Sequence, residues 1–112
     1  GETLRYIGID TPETNHPTKD LECFGNEAKE YNRSLVEGKI VHLEKDTSET
    51  DRYGRVLAYV WVDDVFVNKD LVENGYAESK AYPPDTLHQE LFDSAQIRAI
   101  AGKLGRWSGV CD

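Results

Sequence analysis

Asp10-Thr11-Pro12-Glu13-Thr14 places two carboxylates three residues apart on a turn stiffened by proline. Both can converge on one hard cation. Asp10 can bind it directly, and the Thr11 carbonyl can join it, as carbonyls often do for calcium. Glu13 is then placed to hold or deprotonate a water beside the metal. Read blandly, the same residues form a polar loop with its carboxylates in solvent, and for an isolated D-x-x-E that reading is the better one. Arg5, five residues before Asp10, changes the balance. In a strand it shares a side with Ile7 and Ile9. An arginine among apolar residues needs a partner, because burying an unpaired charge is costly. Its planar fork can clamp a phosphate with two parallel hydrogen bonds. A salt bridge to a structural carboxylate, or a solvated face, is the plain alternative.

Asp51-Arg52-Tyr53-Gly54-Arg55 is the third feature. It supplies two arginines and a tyrosine around a glycine that allows a tight backbone approach. Arg55, at a strand entrance, is held more rigidly than an arginine at a loop tip. The ordinary reading is a hairpin loop with solvated charges. Each motif alone says little; the two together with Arg5 are specific.

The elements that must position these residues follow from the periodicity. Residues 3–9 read as a strand, with Leu4, Tyr6 and Gly8 on one side and Arg5, Ile7 and Ile9 on the other. Pro12 stops the ladder, and a polar loop runs on to Glu22. Residues 27–36 read as a helix with Ala28, Tyr31 and Leu35 in a stripe, and Gly38 stops it. Residues 39–44 are a short strand with Val41 and Leu43 on one face, followed by a charged loop over 45–54. Residues 55–62 are a strand apolar on both faces, which places it centrally and covered on both sides. Asp63-Asp64 is a turn. Residues 68–74 form a short helix that Gly75 terminates. Thr86-Leu87-His88-Gln89 reads as a capping box opening a longer helix, with Leu87, Leu91, Ala95 and Ala99 along one face. Gly105 is expected to end it and Trp107 to dock back on the body. Strands first and in the middle, with helices between and after, make an α+β pattern.

The bulk numbers narrow the class. A chain of 112 residues suits one domain, 1–112, with one core. With 38% hydrophobic and 30% charged residues it reads as globular rather than disordered. No apolar run approaches the ~20 residues of a membrane helix, so no membrane partner is expected, and no signal peptide is visible. The net charge of −8 argues against a protein that coats nucleic acid with a basic face. It still permits one phosphate to be received by a metal ion and a few local arginines. Cys23 and Cys111 have no metal-type spacing. They are either two unrelated thiols or one disulfide tying the start of the first helix to the C-terminal end. The disulfide would contribute roughly 4–5 kcal/mol in the chain-entropy model. It would also point to a secreted or extracytoplasmic location.

The order R-x-x-x-x-D-T-P-E-T, F-G-N-E-A, T-D-R-Y-G-R-V-L-A-Y, V-N-K-D-L-V-E-N-G and L-G-R-W resembles the thermonuclease (staphylococcal nuclease-like) family over nearly the whole chain. The resemblance implies an OB-fold-like, five-stranded β-barrel carrying three helices. It implies calcium-dependent hydrolysis of DNA and RNA phosphodiesters leaving 3′-phosphate ends. Residue by residue, Arg5 and Arg55 match the two phosphate-binding arginines. Asp10 matches a calcium-ligating aspartate, Thr11 the residue whose carbonyl joins it, and Glu13 the glutamate assigned as general base. Tyr53 matches a tyrosine beside the bound phosphate. Tyr82 stands where the family places tyrosines after its second helix. Arg52, Tyr53 and Tyr82 are the expected substrate-binding set.

Two departures stand out. The family begins with two further strands whose D-G-D-T turn supplies another calcium-ligating aspartate, and no residue here matches it. The barrel is therefore expected to be incomplete, with an open edge suited to self-association. Familiar members are also basic, whereas this chain is acidic. The competing reading is a nucleic-acid-binding or scaffold module that keeps the fold and has lost the chemistry. Such copies typically lose the arginines and the glutamate, and here Arg5, Asp10, Glu13 and Arg55 all stand.

Overall fold

The computed structural model describes residues 3–12 and 23–112. In chain order the elements are β1 (Leu4–Tyr6), β2 (Ile9–Asp10), α1 (Gly25–Val36), β3 (His42–Glu44), β4 (Val56–Val62), β5 (Val65–Phe66), α2 (Val67–Glu73), β6 (Glu78–Ser79) and α3 (Gln89–Ala101). A 3₁₀ turn, Gly105–Ser108, follows. The polar loop expected after Pro12 lies almost wholly outside the described residues, and so does Glu13.

The run Val-Leu-Ala-Tyr-Val-Trp-Val has a large side chain for each face of the pleat, and β4 is indeed central. β1 pairs with it in parallel, Leu4 opposite Val56, Arg5 opposite Leu57 and Tyr6 opposite Ala58. β3 pairs antiparallel on the other side, Leu43 opposite Val60. β5 folds back on its far end through the Asp63-Asp64 turn. Ala58, Tyr59 and Val60 are fully buried, so both faces of β4 are covered. β2 pairs separately with β6. Among the described residues the strands make two sheets and no closed barrel; the architecture is α+β with three α-helices.

The expected strand over 3–9 is broken. The ladder continues to Ile7, whose N–H donates to the Ala58 carbonyl at 3.0 Å. The chain then turns at Gly8, where φ is +80° and a Cβ would lie 2.6 Å from the Phe92 ring. Only glycine meets both demands. The turn re-aims Ile9 and Asp10 onto β6, so a strict alternation of sides across 3–9 does not hold. Asn68 supports the break from within the core. Its amide donates to the Ile7 carbonyl at 2.9 Å and its oxygen accepts the Val60 N–H at 2.8 Å. A fully buried amide is thereby satisfied at both ends.

Four further expectations shift. Pairing of the second predicted strand begins only at His42, and Val41 and Leu43 stay substantially exposed because nothing described covers that edge. α3 begins at Gln89 and buries Phe92, Ala95 and Ala99, while Leu87 and Leu91 are exposed. No side-chain cap forms: the Gln89 amide is drawn to the Gly8 carbonyl (3.0 Å) and Ser79 Oγ (2.8 Å). The helix ends at Ala101 rather than at Gly105. Gly105 instead packs its backbone on Gly75, where a Cβ on either glycine would strike the other segment. Trp107, in the turn that follows, is partly buried. Cys23 and Cys111 are bonded, with Cα atoms 5.7 Å apart, which ties the start of α1 to the segment after the 3₁₀ turn.

Candidate active site

The parallel pairing of β1 and β4 brings the two arginines together. Arg5 is opposite Leu57, and Arg55 lies two residues before Leu57. Strand alternation therefore sends both side chains to the same face. They border one cleft of about 350 Å³, which Arg52, Tyr53, Leu57 and Tyr82 also line.

Asp51 sets the geometry of Arg55. One carboxylate oxygen accepts the N–H groups of Tyr53 and Arg55, each at 2.9 Å. The other accepts Arg55 Nε at 2.6 Å. The loop is thus folded around a single carboxylate, and the Arg55 fork is held by its Nε edge, its Nη groups meeting no other acceptor among the described residues. Desolvation pushes the Asp51 carboxyl up. The hydrogen bonds from Arg55 and Tyr53 and the guanidinium charge outweigh it, so Asp51 sits below the usual carboxylate range.

Two exposed tyrosine rings flank the arginines. The Arg52 guanidinium lies 4.9 Å from the centre of the Tyr53 ring, and that of Arg55 lies 5.7 Å from it. Across the cleft, Arg5 at 5.7 Å and Lys80 at 5.6 Å approach the Tyr82 ring. Arg5 Nη1 donates to the Tyr6 carbonyl at 2.7 Å. Cations resting on ring faces are attracted by the ring quadrupole and kept in orientation. The result is a positive floor between two aromatic walls, a form suited to a phosphate with its bases or sugars against the rings.

Asp10 is placed differently. It ends β2 opposite Glu78, half-buried, and is not among the residues lining the arginine cleft. Thr11 and Pro12 border a neighbouring cavity of about 330 Å³, whose wall includes Arg5, Tyr6, Lys29 and Asn32. Arg5 stands between the two spaces. Among the described residues no group of three or more acidic, histidine or cysteine side chains could hold a metal. The Asp10 carboxylate and Thr11 carbonyl are oxygen donors of the kind calcium takes, but two donors fall short of its usual six to eight. Glu13 lies outside the described residues.

The structure therefore joins Arg5, Arg52, Tyr53, Arg55 and Tyr82 in one cleft and sets Asp10 and Thr11 beside it. Sequence reasoning quoted Asp51 within its motif but assigned it no role. The available signal was an aspartate two residues before one loop N–H and four before another, the spacing of a side chain that accepts from its own turn. Lys80 and Asp85 had no signal; only folding brings them to the cleft.

A break after β1 at the left-handed Gly8, a central β4 preceded by Arg52 and Arg55, and the order of helices around them define an α+β domain with an arginine-lined cleft. The family model for staphylococcal nuclease homologues matches residues 3–109, and the chain belongs to that family. It is similar to the thermonuclease of Staphylococcus hyicus, with 40% identity over 107 residues, 96% of this chain and 63% of that protein. The thermonuclease of Staphylococcus intermedius is 38% identical over 106 residues, 95% of this chain and 63% of that protein. Endonuclease YncB of Bacillus subtilis (strain 168) is 37% identical over 109 residues, 96% of this chain and 52% of that protein. The chain thus spans between half and two thirds of the length of these relatives.

Proposed function

We propose that this chain is the catalytic region of a calcium-dependent nuclease that hydrolyses phosphodiester bonds in DNA, RNA or both. The observation that carries the reading is the convergence of Arg5, in β1, and Arg55, just before β4, on one cleft walled by Tyr53 and Tyr82. Two guanidinium groups there bind the phosphodiester, and they act most strongly on the charge that builds on phosphorus oxygens in the transition state. Arg55, braced by Asp51, needs no reorganisation to do so. Glu13 accepts a proton from the attacking water, whose oxygen bonds to phosphorus as the P–O5′ bond breaks; the departing 5′ oxygen takes a proton from solvent and leaves as a 5′-hydroxyl, giving a 3′-phosphate end. Calcium held by Asp10 and the Thr11 carbonyl would supply Lewis-acid stabilisation and lower the cost of ionising water. Arg52, Tyr53 and Tyr82 hold the neighbouring nucleotides. The Cys23–Cys111 bond favours a secreted or extracytoplasmic setting, where disulfides persist.

The test is cleavage of single-stranded DNA and RNA by the full-length protein with calcium or with a chelator. Calcium should be required. Glu13→Gln should lower turnover by about a hundred- to ten-thousand-fold with binding largely retained. Oligonucleotide binding without calcium-dependent cleavage would instead identify a scaffold module of the same fold.

A further inference from the structure

The two walls of the cleft come from different parts of the chain. Arg52, Tyr53 and Arg55 belong to the segment that leads into β4. That segment is tied to the sheet by several bonds. The Leu57 N–H donates to the Glu49 carbonyl, Thr50 bridges Val56, and Lys45 Nζ reaches the Leu57 carbonyl. The opposite wall, Tyr82, sits on an exposed turn closed by the Asp85 N–H donating to the Tyr82 carbonyl at 3.0 Å. No regular element carries it.

Asp85 links this turn to the other wall. It is a buried carboxylate, 5% exposed, and its Oδ1 accepts the Ser48 N–H at 2.7 Å. A second bond runs the other way: Asp46 Oδ2 accepts the Leu87 N–H at 3.0 Å and is itself fixed by the Tyr59 hydroxyl at 2.7 Å. A charged acceptor bonded to a backbone N–H away from water is costly to break, because the oxygen and the N–H both lose their partner.

We propose that Asp85 is a positioning residue for substrate binding: it holds the Tyr82 turn at the distance from the Arg55 wall that one nucleotide requires. The proposal rests on the nuclease reading of the cleft. Arg5 and Arg55 do not depend on this strut, since sheet pairing and Asp51 hold them. Loosening the Tyr82 wall therefore weakens substrate capture and leaves the charge-stabilising arginines in place, a change in KM far more than in kcat.

The test compares Asp85→Ala, Asp85→Asn, Tyr82→Ala and the Asp85→Ala/Tyr82→Ala double variant in the full-length protein. The readout is cleavage of a short fluorescent single-stranded DNA oligonucleotide. Asp85→Ala should raise KM about tenfold, the worth of one lost hydrogen bond to a charged group, with kcat within about threefold. Asp85→Asn keeps an acceptor for the Ser48 N–H and should recover most of the loss. In the Tyr82→Ala background, Asp85→Ala should add almost nothing, because its effect passes through Tyr82. An unchanged KM in Asp85→Ala, or a full further penalty in the double variant, overturns the proposal. Amide exchange gives a reading independent of cleavage. Asp85→Ala should expose the Ser48 amide while the Arg55 amide stays protected, and a Ser48 amide still protected overturns the strut. A parent protein that neither binds nor cleaves the oligonucleotide defeats the nuclease reading, while the exchange experiment still judges the strut.

Discussion

At the residue scale the site depends on which atoms each charge engages. Arg55 gives its Nε to Asp51, and among the described residues its Nη groups have no other acceptor. Arg55→Lys keeps the charge and discards the fork. It should lower kcat by about a hundredfold while leaving the melting temperature close to that of the parent. Steady-state kinetics checks the first part and thermal melting the second. Asp51 and Asp46 are both held below the ordinary carboxylate range. In each, desolvation acts upward and is outweighed by hydrogen bonds, from Arg55 and Tyr53 to Asp51 and from Tyr59, Leu87 and Thr47 to Asp46. A depressed folded-state pKa stabilises the fold fully above the unfolded value of about 3.9, and that contribution disappears as pH falls through the lowered folded value. Melting temperature should therefore fall on acidification below about pH 4. Asp51→Asn should begin lower at pH 6 and lose less across the acid range. An identical acid slope in parent and variant would remove Asp51 from the account.

At the scale of elements the decisive feature is the turn between β1 and β2. Gly8 lets the chain leave the β4 ladder just after Ile7, so that Asp10 is carried to β6 beside the arginine cleft. A continuous strand would have kept residues 9 and 10 along β4. Gly8→Ala should destabilise the fold by about 2–4 kcal/mol, from the left-handed backbone and the contact with Phe92 together. Urea denaturation would measure this. A variant as stable as the parent would mean that Phe92 and α3 shift freely, contrary to the fully buried position of that ring.

At the scale of the whole molecule, charge and edges govern behaviour. The chain carries a net charge of −8, and among the described residues the cations at the cleft are Arg5, Arg52 and Arg55, with Lys80 against the Tyr82 wall. Phosphate contacts from these four cations imply a shallow salt dependence. The slope of log Kobs against log salt should be about −3 for a single-stranded oligonucleotide. A slope near −6 would require a basic track outside this cleft. β3 pairs with β4 along one side only among the described residues, and it leaves Ile40, Val41 and Leu43 exposed. Such an edge invites pairing with another chain. The 112-residue chain by itself should self-associate at micromolar concentration in light scattering, and Leu43→Lys should restore the monomer. A parent chain already monomeric would show that the exposed edge is tolerated.

The amino-acid sequence by itself determined what depends on neighbours within a few residues. The two-faced apolar run of β4 announced a central strand, Gly38 and Gly75 marked the ends of α1 and α2, and the motifs around Arg5 and Arg55 singled out the arginines. Those signals are local: strand alternation, helix stripes and turn chemistry act over two to four positions. The tertiary structure decided everything that requires distant segments to meet. It bonded two cysteines 88 residues apart, for which the sequence had left two readings open. It turned α3 so that Phe92 rather than Leu87 and Leu91 faces the core, because Gly8 leaves room for that ring. It also made Asp51 and Asp85 into braces. A carboxylate looks the same in sequence whether it meets water or a backbone N–H, and only the packed chain decides which partner it finds.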